Sequence, residues 1–173
     1  MVVYLRKAVP NDLNKIMEII TSARQLLHDK NIPQWQNGDG PSKEQLEQDI
    51  LVQQCYVLIV DHEIAGLGIL STDIELPYEQ ITNGQWQKTN QPYATIHRVA
   101  LDPNYQGNGL ALLLMNYLIT TARLNNYLDV RIDTHPKNDT MQRLIKKAGF
   151  NYQGEILLPV LDGDRIAYQL ILS

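Results

Sequence analysis

The segment Val99-Ala100-Leu101-Asp102-Pro103-Asn104-Tyr105-Gln106-Gly107-Asn108-Gly109-Leu110-Ala111 constrains the chain more than any other stretch. It runs from an apolar strand through a short turn into a Gly-x-Gly loop, and from there directly into a long amphipathic helix. Such a junction offers free backbone N–H groups, at the positive end of a helix dipole, to an anionic ligand. Gly107 and Gly109 put no side chain between those donors and a phosphate. The segment reads as a pyrophosphate cradle, although a Gly-x-Gly before a helix is by itself also ordinary loop chemistry.

Elimination narrows the ligand. A nucleoside-triphosphate loop places Lys and Ser/Thr after its second Gly, where this chain has Leu110 and Ala111. A dinucleotide fingerprint needs a third Gly, which is missing, and Asp129 and Asp133 are weak candidates for its acidic residue.

Around this junction strands and helices alternate. Val2 to Ala8 reads as a strand, and Leu13, Ile16, Ile20 and Leu27 follow at helical spacing with Asn11 or Asp12 as N-cap. Residues 31–41 form a loop, and Ser42-Lys43-Glu44-Gln45 resembles a capping box opening a second helix to about Leu51. Strands are expected over 56–60 and 64–70, then a long polar stretch from Ser71 to Gln91, functional or hiding a short element. The strand Tyr93 to Leu101 enters the Gly loop, and Leu110, Leu113, Leu114, Tyr117, Leu118 and Thr121 share one face of the helix beyond it. A strand over 129–133 precedes a helix with Met141, Leu144, Ile145 and Ala148 as its buried stripe, Gly149 at C′ and Phe150 packing back. Two last strands bracket Asp162-Gly163-Asp164.

Three blocks, in order, resemble the GNAT superfamily of N-acetyltransferases. Leu101-Asp102-Pro103 with Gln106-Gly107-Asn108-Gly109-Leu110-Ala111 is similar to the superfamily's cofactor motif. Asn138 through Gly149-Phe150 resembles its next motif, and residues 5–13 resemble its first strand and turn. The resemblance implies an α/β class of the α+β type: a mixed, mostly antiparallel sheet of about seven strands, flanked by helices and splayed between strands 4 and 5. One domain over residues 1–173 is expected.

The resemblance also implies acetyl-CoA as co-substrate and transfer of its acetyl group directly to a primary amine in a ternary complex. Gln106, Gly107, Asn108, Gly109, Leu110 and Ala111 would hold the pyrophosphate, with backbone groups of Val99 and Leu101 along the pantetheine arm. The Leu101 N–H would polarise the thioester carbonyl. Asn138 stands where the superfamily touches the arm, though an Asn there also suits a helix N-cap. His97 resembles the catalytic His of arylalkylamine members and is the first candidate for the base, with His135 the second. Ile145 stands where the superfamily often carries a Tyr that protonates the thiolate; Tyr152 and Tyr168 are substitutes by residue type only. Trp35 and Asp39 on the first long loop, and Trp86 on the second, are the acceptor-side candidates.

The net charge of −4 gives no basic footprint for nucleic acid, and no segment is long enough to span a bilayer. Cys55, the single cysteine, excludes an internal disulfide and points to a reducing, cytoplasmic setting; a buried strand thiol is its simplest reading. The four His residues show no metal-ligand spacing, so no metal is expected. The acceptor is expected to be a small-molecule or peptide amine, and a homodimer is left open. The competing readings are a CoA-binding module without efficient turnover, which the departure at Ile145 favours, and a structural role through dimerisation of the terminal strands.

Overall fold

The computed structural model describes residues 1–87 and 89–173. Its strands and helices follow in the order β1 (Val3–Lys7), α1 (Leu13–Asp29), α2 (Lys43–Leu51), β2 (Cys55–Val60), β3 (Glu63–Ser71), α3 (Leu76–Glu79), β4 (Tyr93–Leu101), α4 (Leu110–Leu124), β5 (Asp129–Thr134), α5 (Asp139–Lys147), β6 (Asn151–Leu157) and β7 (Asp164–Ile171). The strands form one seven-stranded sheet in the order β1-β2-β3-β4-β5-β7-β6. β4 and β5 are parallel and the other neighbouring pairs antiparallel.

Both faces of the sheet are covered, which explains why β2 is an unbroken apolar run. Tyr56, Leu58 and Val60 join the core beneath α4 and α5, built on Leu114, Met115, Leu118 and Ile145. Cys55, Val57 and Ile59 point the other way, to Ile16, Ile19 and Ile20 of α1 and Leu46 and Ile50 of α2. Each large side chain buried this way contributes about 1.5–3 kcal/mol. Gly68 lets α4 sit close to the sheet: a Cβ there would stand 2.6 Å from Leu118 Cδ1.

The ends of the helices follow local chemistry. Ser42 accepts from the Gln45 N–H while the Gln45 side chain accepts from the Ser42 N–H, a reciprocal cap on α2. Gly149, at φ +103°, closes α5; its N–H donates to Lys146 and the Phe150 N–H to Ile145. At the start of α1 the expectation needs correction. Asp12 occupies the N-cap position without capping; its carboxylate accepts from the Val9 N–H at 2.8 Å and from Arg6 at 2.7 and 3.0 Å. A carboxylate offered a guanidinium and a nearer backbone donor takes both.

Two irregularities open the sheet at one place. The parallel pairing of β4 with β5 runs from Tyr93–Asp129 to Ile96–Ile132 and stops, although β4 continues to Leu101. Within that unpaired half, the register of β4 against β3 shifts between Leu67 and Ile69, and Arg98 carries a φ of +54°. The extra residue is a β-bulge, which bends the strand and re-aims its side chains. The stretch from Ser71 to Gln91 does hide an element of its own, α3, and is tied to β6 by a two-way bridge between Thr82 and Glu155 at 2.8 Å each way.

Candidate active site

A cleft of about 570 Å³ lies where β4 and β5 part. The Asp102 N–H donates to the Ala65 C=O at 2.9 Å. Backbone groups alternate sides along an antiparallel pair, so Leu101, opposite Gly66, turns its N–H and C=O away from β3. They face the side where β5 has ceased to pair. Val99 and Leu101 both line the cleft.

Beyond Leu101 the Gly loop enters α4 with its donors exposed. Gly109 is the N-cap at φ +74°, no side chain caps it, and the first turn holds no acidic residue. Gly107 has φ +83°, and a Cβ on either glycine would meet nothing within 4 Å. The left-handed backbone favours glycine, and the space above the loop is open. Gln106, Gly107, Gly109, Leu110 and Ala111 line the cleft; Asn108, on the loop, does not. An uncapped helix N-terminus with no competing carboxylate suits a pyrophosphate. The unpaired edge of β4 suits an extended arm with amide groups.

Another part of the cleft wall carries ionisable groups. His97 Nε2 lies 2.7 Å from Glu75 Oε2, and the ring is a quarter exposed. Burial alone would lower the His97 pKa; the hydrogen bond and charge of Glu75, with Asp133 behind it, outweigh that and raise it above the ordinary value. Neutral His97 then donates Nε2–H to Glu75 and keeps Nδ1 as the acceptor. Tyr78 packs edge-on against the His97 ring at 6.1 Å and donates its hydroxyl to Asp133 Oδ2 at 2.5 Å.

The sequence matches the model of the acetyltransferase (GNAT) family over residues 20–150. The chain belongs to that family. The GNAT-family acetyltransferase of Streptococcus agalactiae 2603 is 35% identical, with 99% of this chain and 96% of that one covered at a TM-score of 0.88. The GNAT-family acetyltransferase of Listeria monocytogenes 4b F2365 is 18% identical, covering 98% and 95% at a TM-score of 0.76. The aminoglycoside acetyltransferase AAC(6′)-Ib, solved with coenzyme A, is 21% identical, covering 98% and 95% at 0.70. The last two share the fold. Among curated proteins, none matches the chain.

Within this GNAT fold the remaining candidates separate. Trp35, at φ +64°, and Asp39 line the cleft from the α1–α2 loop. Asn138 lines it too, but its side chain is engaged: Oδ1 caps α5 at the Met141 N–H, and Nδ2 donates to Gln34 Oε1 at 2.9 Å. His135 is buried and does not line the cleft; its Nδ1 accepts from the Lys137 N–H at 3.0 Å, and burial followed by Arg165 lowers its pKa. Trp86 does not line the cleft either. It stacks on Tyr78 at 5.6 Å, donates to the Tyr78 C=O and covers Arg131 at 4.3 Å, supporting α3 from behind. Ile145 is fully buried in the main core, Tyr168 is buried outside the cleft, and Tyr152 is exposed outside it. Cys55 has no exposed surface, and burial, then Asp49 and Asp12, push its thiol up to about 12. Asp129 is occupied by Arg131 at 2.9 Å and by Gln169 at 3.0 Å.

Glu75, Tyr78 and Arg165 line the cleft without having stood out as site residues in the sequence, and Asp133, weighed there only as a dinucleotide-binding acid, lines it too. Pro77 in the first turn of α3, after Glu75, was the one local sign that the polar stretch held a helix.

Proposed function

We propose that the chain moves the acetyl group of acetyl-CoA to a primary amine by direct transfer in a ternary complex. The observation that carries this reading is the meeting, in one cleft, of an unpaired β4 amide and a His–carboxylate pair. Bound acetyl-CoA would supply an activated thioester. Gly107, Gly109 and the first amides of α4 donate to its pyrophosphate, with Gln106 beside them, and the edge of β4 at Val99 and Leu101 takes the arm. The Leu101 N–H is a fixed donor for a carbonyl oxygen as negative charge grows on it.

An amine arrives protonated and must lose a proton before it attacks. His97 accepts that proton at Nδ1, while Glu75 fixes the tautomer and stabilises the imidazolium that forms. Tyr78 holds the ring in place and does not touch the reacting atoms. No tyrosine hydroxyl stands at the Ile145 position, so the thiolate leaves without that acid, which an ordinary thiol pKa of about 8.5 permits near neutral pH. The same position favours a second reading, a module that holds CoA without efficient turnover.

His97→Ala separates the two. General-base assistance amounts to about 10²–10⁴-fold, so turnover should fall by at least about a hundredfold while CoA affinity stays within about twofold. Equal turnover in the two proteins removes His97 from the mechanism.

A further inference from the structure

The cleft also carries a buried guanidinium that acetyl transfer, as outlined, leaves unused. Arg165, at the start of β7, lines the cleft with a side chain only 5% exposed. Its Nη1 donates to the C=O of Asp162 at 2.7 Å and of Asp164 at 2.8 Å. Those bonds use both Nη1 hydrogens and fix the plane of the group. Among the described residues, Nε and Nη2 donate no hydrogen bond. The nearest carboxylate oxygen recorded is Asp133 Oδ1, 3.9 Å from Nε, and the other oxygen of Asp133 is taken by Tyr78.

A guanidinium stays charged at any working pH, and burial without full pairing is costly. Burial lowers the Arg165 pKa despite Asp133, Asp164, Asp162 and Asp39 acting in the opposite sense. The surroundings therefore under-compensate this cation. Its free edge, Nε–H beside Nη2–H, has the fork geometry that receives a carboxylate in two parallel hydrogen bonds.

We infer that Arg165 receives a carboxylate of the acceptor, so that the acceptor is an amino acid or a close relative carrying both amine and carboxylate. This rests on the acetyl-transfer reading and narrows its substrate class. Charge order in the cleft supports it. Arg165, Asp133, Tyr78 and His97 follow one another in contact, with Glu75 beyond His97. An under-compensated cation thus stands at one end of the series and an anion at the other, the pattern a zwitterion complements. A polycationic amine would instead bring further positive charge to a buried guanidinium whose Nε–Nη2 edge donates to nothing. Tying the β6–β7 turn accounts for Nη1 alone.

The test compares L-amino acids with their matched decarboxylated amines, such as lysine with cadaverine and phenylalanine with phenethylamine, by thiol release from acetyl-CoA. Wild type is expected to favour the carboxylate-bearing member by about tenfold to a hundredfold in kcat/KM, the range for hydrogen bonds to a charged group. Arg165→Lys, which keeps a cation able to hold the turn carbonyls but not the fork, should lose that preference. It should do so through KM for the amino acid, which should rise about tenfold to a hundredfold more than KM for the matched decarboxylated amine. Equal use of both members by wild type, or an equal loss on both in the variant, overturns the carboxylate seat while amine acetylation stands. Thiol release with aminoglycosides or polyamines but no amino acid does the same. Silence with every amine overturns the transfer reading, and this inference with it.

Discussion

Gly109→Ala puts a methyl group among the donors at the head of α4. Gly109 has φ +74°, and its new Cβ would meet nothing within 4 Å. The folded chain therefore bears only the left-handed strain, about 1–2 kcal/mol. For a chain of this size that lowers Tm by roughly 2–8 °C. A phosphate seated on the loop would meet the methyl group, and losing one charge-assisted hydrogen bond costs about 1.5–3 kcal/mol, or ten- to a hundredfold in CoA affinity. Gly38 supplies the control, since it has φ +81°, equally open space and no place in the cleft lining. Gly38→Ala should reproduce the Tm loss and leave CoA affinity alone. Calorimetric titration of CoA with a thermal melt on each protein reads both quantities. If the two variants bind CoA equally well, the Gly loop is only a turn and holds no phosphate.

Other outcomes follow from the same structure. Glu75→Gln keeps an acceptor for His97 Nε2–H but removes the charge that raises the His97 pKa, so the acidic limb of the kcat profile should move to lower pH and its plateau should fall. An unmoved limb would mean that His97 does not set it. Asp102 accepts from Lys15 at 2.6 Å, and that bond, against burial and with the help of the Asn104 N–H, lowers its pKa. Its stabilisation is present above the ordinary carboxylate pKa and is lost as pH falls through the lowered one. Asp102→Asn should cost near the low end of about 1.5–3 kcal/mol at neutral pH, because Lys15 is 37% exposed, and the gap to wild type should close on acidification. Urea titrations at several pH values measure it. Gly68→Ala drives a Cβ to within 2.6 Å of Leu118 Cδ1, an overpacking cost of about 1–3 kcal/mol; an unchanged denaturation midpoint would contradict the close approach of α4 to the sheet.

Much of this fold was legible because its signals are local. The need for positive φ at Gly107 and Gly109, the reciprocal cap between Ser42 and Gln45, and the stop at Gly149 each lie within a few residues. The short apolar runs marked β2 and β4 for the same reason. What escaped depends on distant partners. Glu75 meets His97 only because α3 folds the long polar stretch back over β4, and nothing near Glu75 in the sequence announces that. Trp86 looked like a free aromatic wall, yet Tyr78 across the turn of the same stretch and Arg131, remote in sequence, hold it away from the cleft lining. The bulge falls on Arg98, a residue that gives no hint of a φ of +54°. Arg165 resembled any strand arginine until the turn carbonyls took one nitrogen and left its other edge free.

On the proposed reading, this cleft joins an acetyl group from acetyl-CoA to an amine. The most direct test incubates the protein with acetyl-CoA and a panel of primary amines, amino acids and short peptides, following free thiol and product mass together. Thiol release should require an amine and match the acetylated amine one for one. Binding of acetyl-CoA with thiol release no faster than in the absence of any amine, and no acetylated product from any member, would contradict that reading.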